Sequence, residues 1–536
     1  MRPRLWQPLV PLSPAEATVV RRIQRAKLFI FLRQQRHVLF SADFQAELAT
    51  ALYADKPKGQ PPIPPAQLAL ATILQAYIGV SDDEVIEATT MDRRWQLVLD
   101  CLDVEEPPFS KATLQAFRRR LLATDFDRRL IERTLEVAQA QGGFSPRALR
   151  AALDSSPLWG AGRVEDTVNL LGHALRTALS VMARQQGRGL AEVAAEAGAA
   201  LVGGPPSLKA ALDLDWDDPA ALPQALRAVL AALAAVEAWL NGPQAPPEAD
   251  DPTVQASRDA AVQVREQDVE LAADGTLTLR RGVSRDRRIS VEDSQMRHGR
   301  KSRTVRVDGY KRHVLHDLDS GLVAAVGLTA ANAPEASVTA ALDADLAALQ
   351  TFQLPLTSWA ELHIDRAYLS STWVRARPET LAIYCKAWPV RNRGGRFPKT
   401  AFTLNWDRQT IRCPHQIELP VTLGSTVQFP AASCAACPLR ERCTASVHGR
   451  SVHIHSDESL LAELRARQQT PQGRAKLRER VAVEHTLAHV GHWQGRRARY
   501  RGQRKNLFDL RRCAVVDNLH ILSHFPAFRP ERREAA

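Results

Sequence analysis

The sequence predicts a multidomain α+β protein: a helical N-terminal domain, then a core of strands and helices that two insertions interrupt. Three observations carry this reading. Residues 1–143 hold clear helix caps and no alternating apolar pattern. Two short apolar runs that close on an aspartate, "AALDSSPL" from Ala151 and "WAELHIDRAYLS" from Trp359, stand on either side of a long helical stretch. Four of the seven cysteines fall between Cys413 and Cys443, among short strand-like runs.

The helical domain is legible cap by cap. Ser13-Pro14-Ala15-Glu16 and Ser81-Asp82-Asp83-Glu84 are capping boxes, the first with proline at the first helical position. Between them, "GQPPIPPAQLALATILQAYIGV" is a proline-rich turn leading into an apolar helix. Ser110 caps "KATLQAFRRRLL", whose Arg118, Arg119 and Arg120 make it the basic helix of the domain. Such a helix is either a DNA reader or a solvated arginine face.

Residues 144–165 open the core, with a strand expected to end at Asp154. Residues 166–280 read as a helical insertion, alanine-rich and punctuated by "GGPPS" and "NGPQAPPEADDP". The core resumes over 281–390. There "RTVRVDGYKRHVLHD", a turn at "LDSG" and "LVAAVGLTAAN" form a hairpin, a helix follows, a strand closes on Asp365, and "TLAIYCKA" adds another strand. Residues 391–455 form the cysteine-rich insertion, 456–524 return to helix around Glu484, and 525–536 are a tail.

Composition bounds the partners. The 536 residues include 71 basic and 59 acidic side chains, a balance of +12, with pI near 9.6. Charge of that size points to nucleic acid or an anionic surface. Arginine outnumbers lysine roughly five to one, which suits bidentate phosphate contact, although coding bias in an alanine-rich chain gives the same ratio. No stretch reads as a membrane span of roughly 18 apolar residues; "QALRAVLAALAAVEAW" from Gln224 is interrupted by Arg227 and Glu237. The N-terminus lacks an apolar run of signal-peptide length, and clustered cysteines argue against a dispersed disulfide framework. The expectation is a reduced, cytoplasmic, nucleoid-associated protein without a membrane partner.

Two carboxylates on separate strands and a third on a late helix suit a two-metal phosphoryl-transfer site. Hard divalent cations take oxygen ligands, and two of them activate an attacking oxygen and stabilise a leaving one. Singly, an aspartate closing a strand is ordinarily a turn or cap residue; the order of the set is what singles out Asp154, Asp365 and Glu484.

The stretches "PPIPPAQLALATILQAYIGVSDDEVIEATTMDRRWQLVLD", "LDSSPLWGAGRVEDT", "MRHGRKSRTVRVDGYKRHV", "HIDRAY" and "VEHTLAHV…RARYRGQRKNLFDLRRCAVVDNL" occur in that order. On them the chain resembles bacterial insertion-sequence DDE transposases of the branch with an InsH-type helical N-terminal domain. The resemblance implies an RNase H-like catalytic core with Asp154, Asp365 and Glu484 as catalytic and Mg²⁺-binding residues. It also implies two Mg²⁺ ions (Mn²⁺ substituting), hydrolysis at the element's ends and attack of the freed 3′-hydroxyls on target DNA. Relatives carry Tyr-x₂-Arg-x₃-Glu-x₆-Lys around the glutamate. Here Arg480 keeps its spacing to Glu484, whereas Leu477 and Gly491 stand at the tyrosine and lysine positions. Arg496, Arg497 or Lys505 are the substitutes, and Glu479 is the alternative third acid. A domesticated DNA-binding protein and a host nuclease on the same core are the rival functions.

The basic segments are the expected DNA contacts. "RHGRKSRTVRVDGYKRHV" brings Arg297, Arg300, Lys301, Lys311 and Arg312 to the hairpin, with Gly299 and Gly309 permitting close approach to phosphate. The same charges also suit a protected sheet edge. Around Glu484 lie Arg480, Arg496, Arg497, Arg499, Arg501 and Lys505. Tyr310, Trp493 and Tyr500 are candidates to stack on an unpaired base, with core packing the alternative for Trp493. Double-stranded DNA and a second copy of the chain, needed to synapse two ends, are the expected partners. The helical insertion is expected either to cover donor DNA or to mediate that dimer. Cys413, Cys434, Cys437 and Cys443 suit a tetrahedral structural Zn²⁺ in a zinc-ribbon-like knob, with His415 as a possible replacement ligand. Cys101, Cys385 and Cys513 read as core residues.

Overall fold

The computed structural model describes residues 2–528 except 56–58, 244, 283, 302–303, 350–351, 353 and 391–393. The fold is mixed α+β and divides into two compact units, Met1–Pro146, Asp154–Pro355 and Val483–Ala536 in one, Arg147–Leu153 and Leu356–Ala482 in the other.

Among the described residues, the first unit begins with eight α-helices from Pro14–Arg22 to Arg129–Ala140. The caps form as the sequence reads: Ser13 and Glu16 bond reciprocally, as do Ser81 and Glu84, and the Ser110 hydroxyl takes the Thr113 N–H. Helix Pro65–Ile78 is buried along nearly its whole length and stops at Gly79, φ 81°, a left-handed position that suits glycine. A helix from the far end of the chain, Gln503–Leu522, packs on helices Pro65–Ile78 and Arg129–Ala140. Its polar residues are there for the packing. Asn518 takes the Val323 N–H at 2.7 Å and donates to Val323 O and Thr134. Arg504 and Arg511 pair with Asp127 and Asp125.

Strand β1 (Leu149–Trp159) enters this unit at Asp154. The helical insertion follows, with Thr167–Gln185, Ala221–Leu240 and Pro252–Asp268 as its long helices and its own core of Leu171, Leu179, Met182, Leu226, Val229, Leu233 and Val264. It closes with a short hairpin, β2 (Val269–Leu271) and β3 (Leu277–Leu279), which the helical reading of 166–280 missed. Among the described residues, Ala221–Leu240 is the one helix long and apolar enough to cross a membrane by length and composition, because Arg227 and Glu237 dilute its hydropathy less than expected. Its Leu226, Val229 and Leu233 are buried in the insertion's core.

Strand β4 (Arg297–Arg300) pairs antiparallel with the start of β5 (Arg306–Asp317), and β6 (Val323–Ala330) pairs with the rest of it. The later part of β1 lies beside β5, with Gly160 N–H on Asp308 O at 2.7 Å. A Cβ on Gly309 would collide with the backbone of Leu158–Gly160, and one on Gly299 with Ala331. The close approach these glycines permit is therefore to protein backbone, not to phosphate.

In the second unit the first residues of β1 pair in parallel with β7 (Trp359–Ile364), and β7 pairs in parallel with β8 (Ala382–Tyr384). Beyond them, β9 (Thr403–Asn405), β10 (Thr410–Arg412) and β11 (Glu418–Pro420) make a small antiparallel sheet. β12 (Thr426–Gln428) pairs with β13 (Ser451–His453), and helices Glu458–Gln469 and Pro471–Glu479 follow. A small core of Phe402, Ile411, Phe429, Val452 and Ile454 holds the cysteine-rich segment.

Candidate active site

Asp154 does not end its strand. β1 continues to Trp159 because Ser155–Trp159 find partners in the fold: Trp159 N–H donates to Arg496 O at 3.0 Å and Trp159 O accepts from Ala498 N–H at 2.6 Å. Tertiary pairing overrides the turn-like Ser-Ser-Pro composition. Asp154 is half-buried, and its carboxylate accepts its neighbour's Ser155 N–H at 2.8 Å. The pairing of β1 with β7 runs in step from Arg150↔Glu361 to Leu153↔Ile364; Asp154 and Asp365 are the residues that come next on each strand.

Asp365 does close its strand. It is exposed and caps the turn Arg366–Tyr368, accepting Ala367 N–H at 2.6 Å. Behind it, burial pushes the Cys385 thiol up to about 12, with the Asp365 charge adding to the push and Arg366 and Arg480 opposing it. Arg480 stands at the C-cap of helix Pro471–Glu479. Glu484 is exposed in the first turn of helix Val481–Gln494.

Glu479, the alternative acid, is already engaged. Arg150 reaches it with one guanidinium nitrogen and Lys476 lies at 3.4 Å. Both cations also hold Glu361, Arg150 Nε at 2.9 Å and Lys476 Nζ at 2.7 Å. The Nε2 of buried His363 lies 2.9 Å from the same carboxylate, and its ring stacks on Tyr384 with centroids 4.7 Å apart. Burial would raise the Glu361 carboxyl, but hydrogen bonds from Lys476, His363 and Arg150 outweigh it and hold it down at about 2. Sequence reading passed over Arg150, Glu361 and His363. The available signal was alternation: a charged residue four positions before each aspartate, Arg150 and Glu361, and His363 two before Asp365, in otherwise apolar runs.

The expected DNA contacts separate into two groups. Arg118 is taken up by Asp82 at 2.6 Å and by Gln75, and Arg297 by Asp286 and the Ser294 and Met296 carbonyls. Lys311 bonds Ala333 O and sits near Glu335. Arg312 is 3% exposed, and burial pulls its guanidinium down to about 10. It holds Pro157 O, Gly495 O and Gln494. Tyr310 is fully buried with its hydroxyl on Asp293, and Trp493 stacks on His520. For Arg312 and Tyr310, burial rules out contact with a nucleic acid; they are framework residues, because closing the hairpin onto β1 leaves carbonyls and a carboxylate that need donors. Tyr500 is half-buried against Arg512. Exposed positions are Arg119, Arg120, Arg300, Lys301, Arg496, Arg497, Arg499, Arg501 and Lys505. Of these, Arg497 bonds Gly160 and Ala161 carbonyls, Arg499 bonds Trp493 O, Arg501 bonds Glu292, and Arg120 lies over Tyr53.

Cys413, Cys434, Cys437 and Cys443 line one cavity together with His415. Burial pushes the Cys443 thiol up, Arg450 pulls it back, and Cys434, Cys413 and Cys437 add to the push. Two backbone N–H groups donate to sulfur, Ile417 to Cys413 at 3.3 Å and Leu439 to Cys437 at 3.4 Å. All seven cysteines are free thiols, and Cys101, Cys385 and Cys513 are buried core residues as expected.

A family model described as a transposase DDE domain matches residues 420–523, a stretch that contains Glu484. A second, a transposase domain (DUF772), matches residues 21–120, the N-terminal helices with Arg118–Arg120. No curated protein and no solved structure matches the chain. With a transposase domain matched toward each end, the two matches support an insertion-sequence DDE transposase.

Proposed function

We propose that the protein binds the terminal inverted repeats of its insertion sequence, hydrolyses a phosphodiester at each end and joins the freed 3′-hydroxyls to target DNA. Asp154, Asp365 and Glu484 are the carboxylates of an RNase H-like core that hold two Mg²⁺ ions. The observation that carries this is the register of β1 on β7. The strands run in step to Leu153↔Ile364, and an aspartate follows on each. Both aspartates are oxygen-only donors, the kind a hard cation takes. The resemblance, with Arg480 keeping its spacing to it, makes Glu484 rather than Glu479 the third ligand.

When bound, the ions supply activation of the attacking oxygen and stabilisation of the leaving one. The chain's part is to hold them and to orient DNA. Exposed cations such as Arg119, Arg300, Lys301, Arg496 and Lys505 are suited to sequence-independent phosphate contact. The cysteine-rich segment is a zinc-ribbon-like knob: four thiols round one cavity, two already accepting N–H donors, suit thiolate ligation of Zn²⁺. Two ends must be brought together, so the working form on DNA is a homodimer.

Cleavage of DNA carrying the element's own ends, in Mg²⁺, tests the reading. Asp154→Asn, Asp365→Asn and Glu484→Gln are each expected to bind the ends and lose cleavage by at least ~10³-fold, the scale of losing charge stabilisation at the reacting centre. Wild-type cleavage by any of the three removes that residue from the site.

A further inference from the structure

We propose that Arg150, Glu361, Lys476 and Glu479 form a charge clamp that fixes the end of helix Pro471–Glu479 on the first part of β1 and on β7, and so sets, through the chain, where the helix bearing Glu484 begins; the inference rests on the carboxylate reading above. Alternation places Arg150, Ala152 and Asp154 on one face of β1, and Glu361, His363 and Asp365 on one face of β7. Lys476 and Glu479 are one turn apart on helix Pro471–Glu479.

Arg150 joins all three elements, with Nε 2.9 Å from Glu361 Oε2 and a terminal nitrogen on Glu479. Lys476 Nζ lies 2.7 and 3.1 Å from the two Glu361 oxygens. Glu479 is the last residue of its helix, Arg480 caps it, and Val481 begins the helix whose first turn bears Glu484. Tying down Glu479 therefore fixes where that second helix starts.

Ligand atoms of Glu361, His363 and Glu479 lie within 4.8 Å of one another, a spacing a metal would accept. The charges argue against one. Two cations already balance the two carboxylates, and an ion would have to displace both. The network is only partly buried, its side chains 15–35% exposed, so its ion pairs add little net stability. Its use is to define geometry.

The test compares Arg150→Gln, Glu479→Gln and the double variant in Mg²⁺-dependent end cleavage, with end binding and thermal melting measured alongside. Each single variant is expected to bind the ends like wild type, to cleave on the order of tenfold more slowly, and to need several-fold more Mg²⁺ for half-maximal rate, because misplacement rather than removal of a ligand is at issue. The double variant should lose no more than the worse single one, as residues of one pair do. Lys476→Gln, which keeps the Arg150 bridge, replaces either variant should it melt below the assay temperature.

Wild-type rate and Mg²⁺ requirement in the single variants, even with lowered melting, overturn the clamp, as do losses that simply multiply. A bound transition metal that survives Cys434→Ser but leaves with His363→Ala also overturns it. A Glu484→Gln protein that cleaves normally fails the carboxylate reading itself. Clamp variants that behave as wild type beside an inactive Glu484→Gln fail only the clamp.

Discussion

Arg300 and Arg312 come from one basic run, and the hairpin puts them to opposite uses. Arg312 is buried, and its guanidinium satisfies the carbonyls of Pro157 and Gly495 and the Gln494 side chain. Arg300 stands exposed at the end of β4. Arg312→Leu should cost about 2–4 kcal/mol in urea unfolding, since it leaves several buried acceptors without a donor. Arg300→Ala should cost under ~0.5 kcal/mol and instead lower DNA affinity and its salt dependence. Composition could not tell the two apart, because burial is decided by where β5 meets β1. A pH effect belongs at this scale too. The Glu361 carboxyl, ordinarily near 4.5, sits at about 2 in the folded chain. Its ion pairs thus stabilise the fold above pH ~4.5, and that contribution is lost as pH falls from there toward about 2. Glu361→Gln should flatten this part of the stability profile, measured by urea unfolding from pH 2 to 6; an unchanged profile would contradict the assignment.

Among elements, those governed by local chemistry were the most legible. Both capping boxes, the Ser110 cap, the β5–β6 hairpin and the strand closing on Asp365 all follow from adjacent residues. Elements defined by distant partners were not. β1 runs past Asp154 because Arg496–Ala498 and β5 meet it there. Helix Gln503–Leu522 looks like a basic surface helix, yet Arg511 and Arg512 are 2% exposed and Asp509 is fully buried; their charges answer Asp125, Asp345 and one another. The cysteine cluster was legible because four of the seven cysteines fall between Cys413 and Cys443, and the fold of that segment brings them to one cavity. One equivalent of Zn²⁺ is expected in purified protein, lost with Cys434→Ser, with the melting of that segment lowered and the rest of the chain unaffected. Zinc-free protein with the same melting profile would make the cluster a set of buried thiols.

Over the whole chain, charge is a weaker guide to the DNA face than the +12 balance suggests. Many arginines, among them Arg33, Arg36, Arg118, Arg129 and Arg511, are committed to internal carboxylates or carbonyls. Of the three acids, Asp154 lies within a strand, Asp365 follows the end of its parallel neighbour, and Glu484 lies in the first turn of a late helix. The residues that engage Glu479 were invisible in sequence because they act in pairs drawn from three elements. The most direct test is to replace Mg²⁺ with Fe²⁺ in the DNA-bound protein and map hydroxyl-radical cleavage of the backbone. Cuts at 154, 365 and 484, all suppressed together by excess Mg²⁺, are what three carboxylates sharing the ions predict. Cuts centred on 361 and 479, or at only one of the three acids, would contradict it.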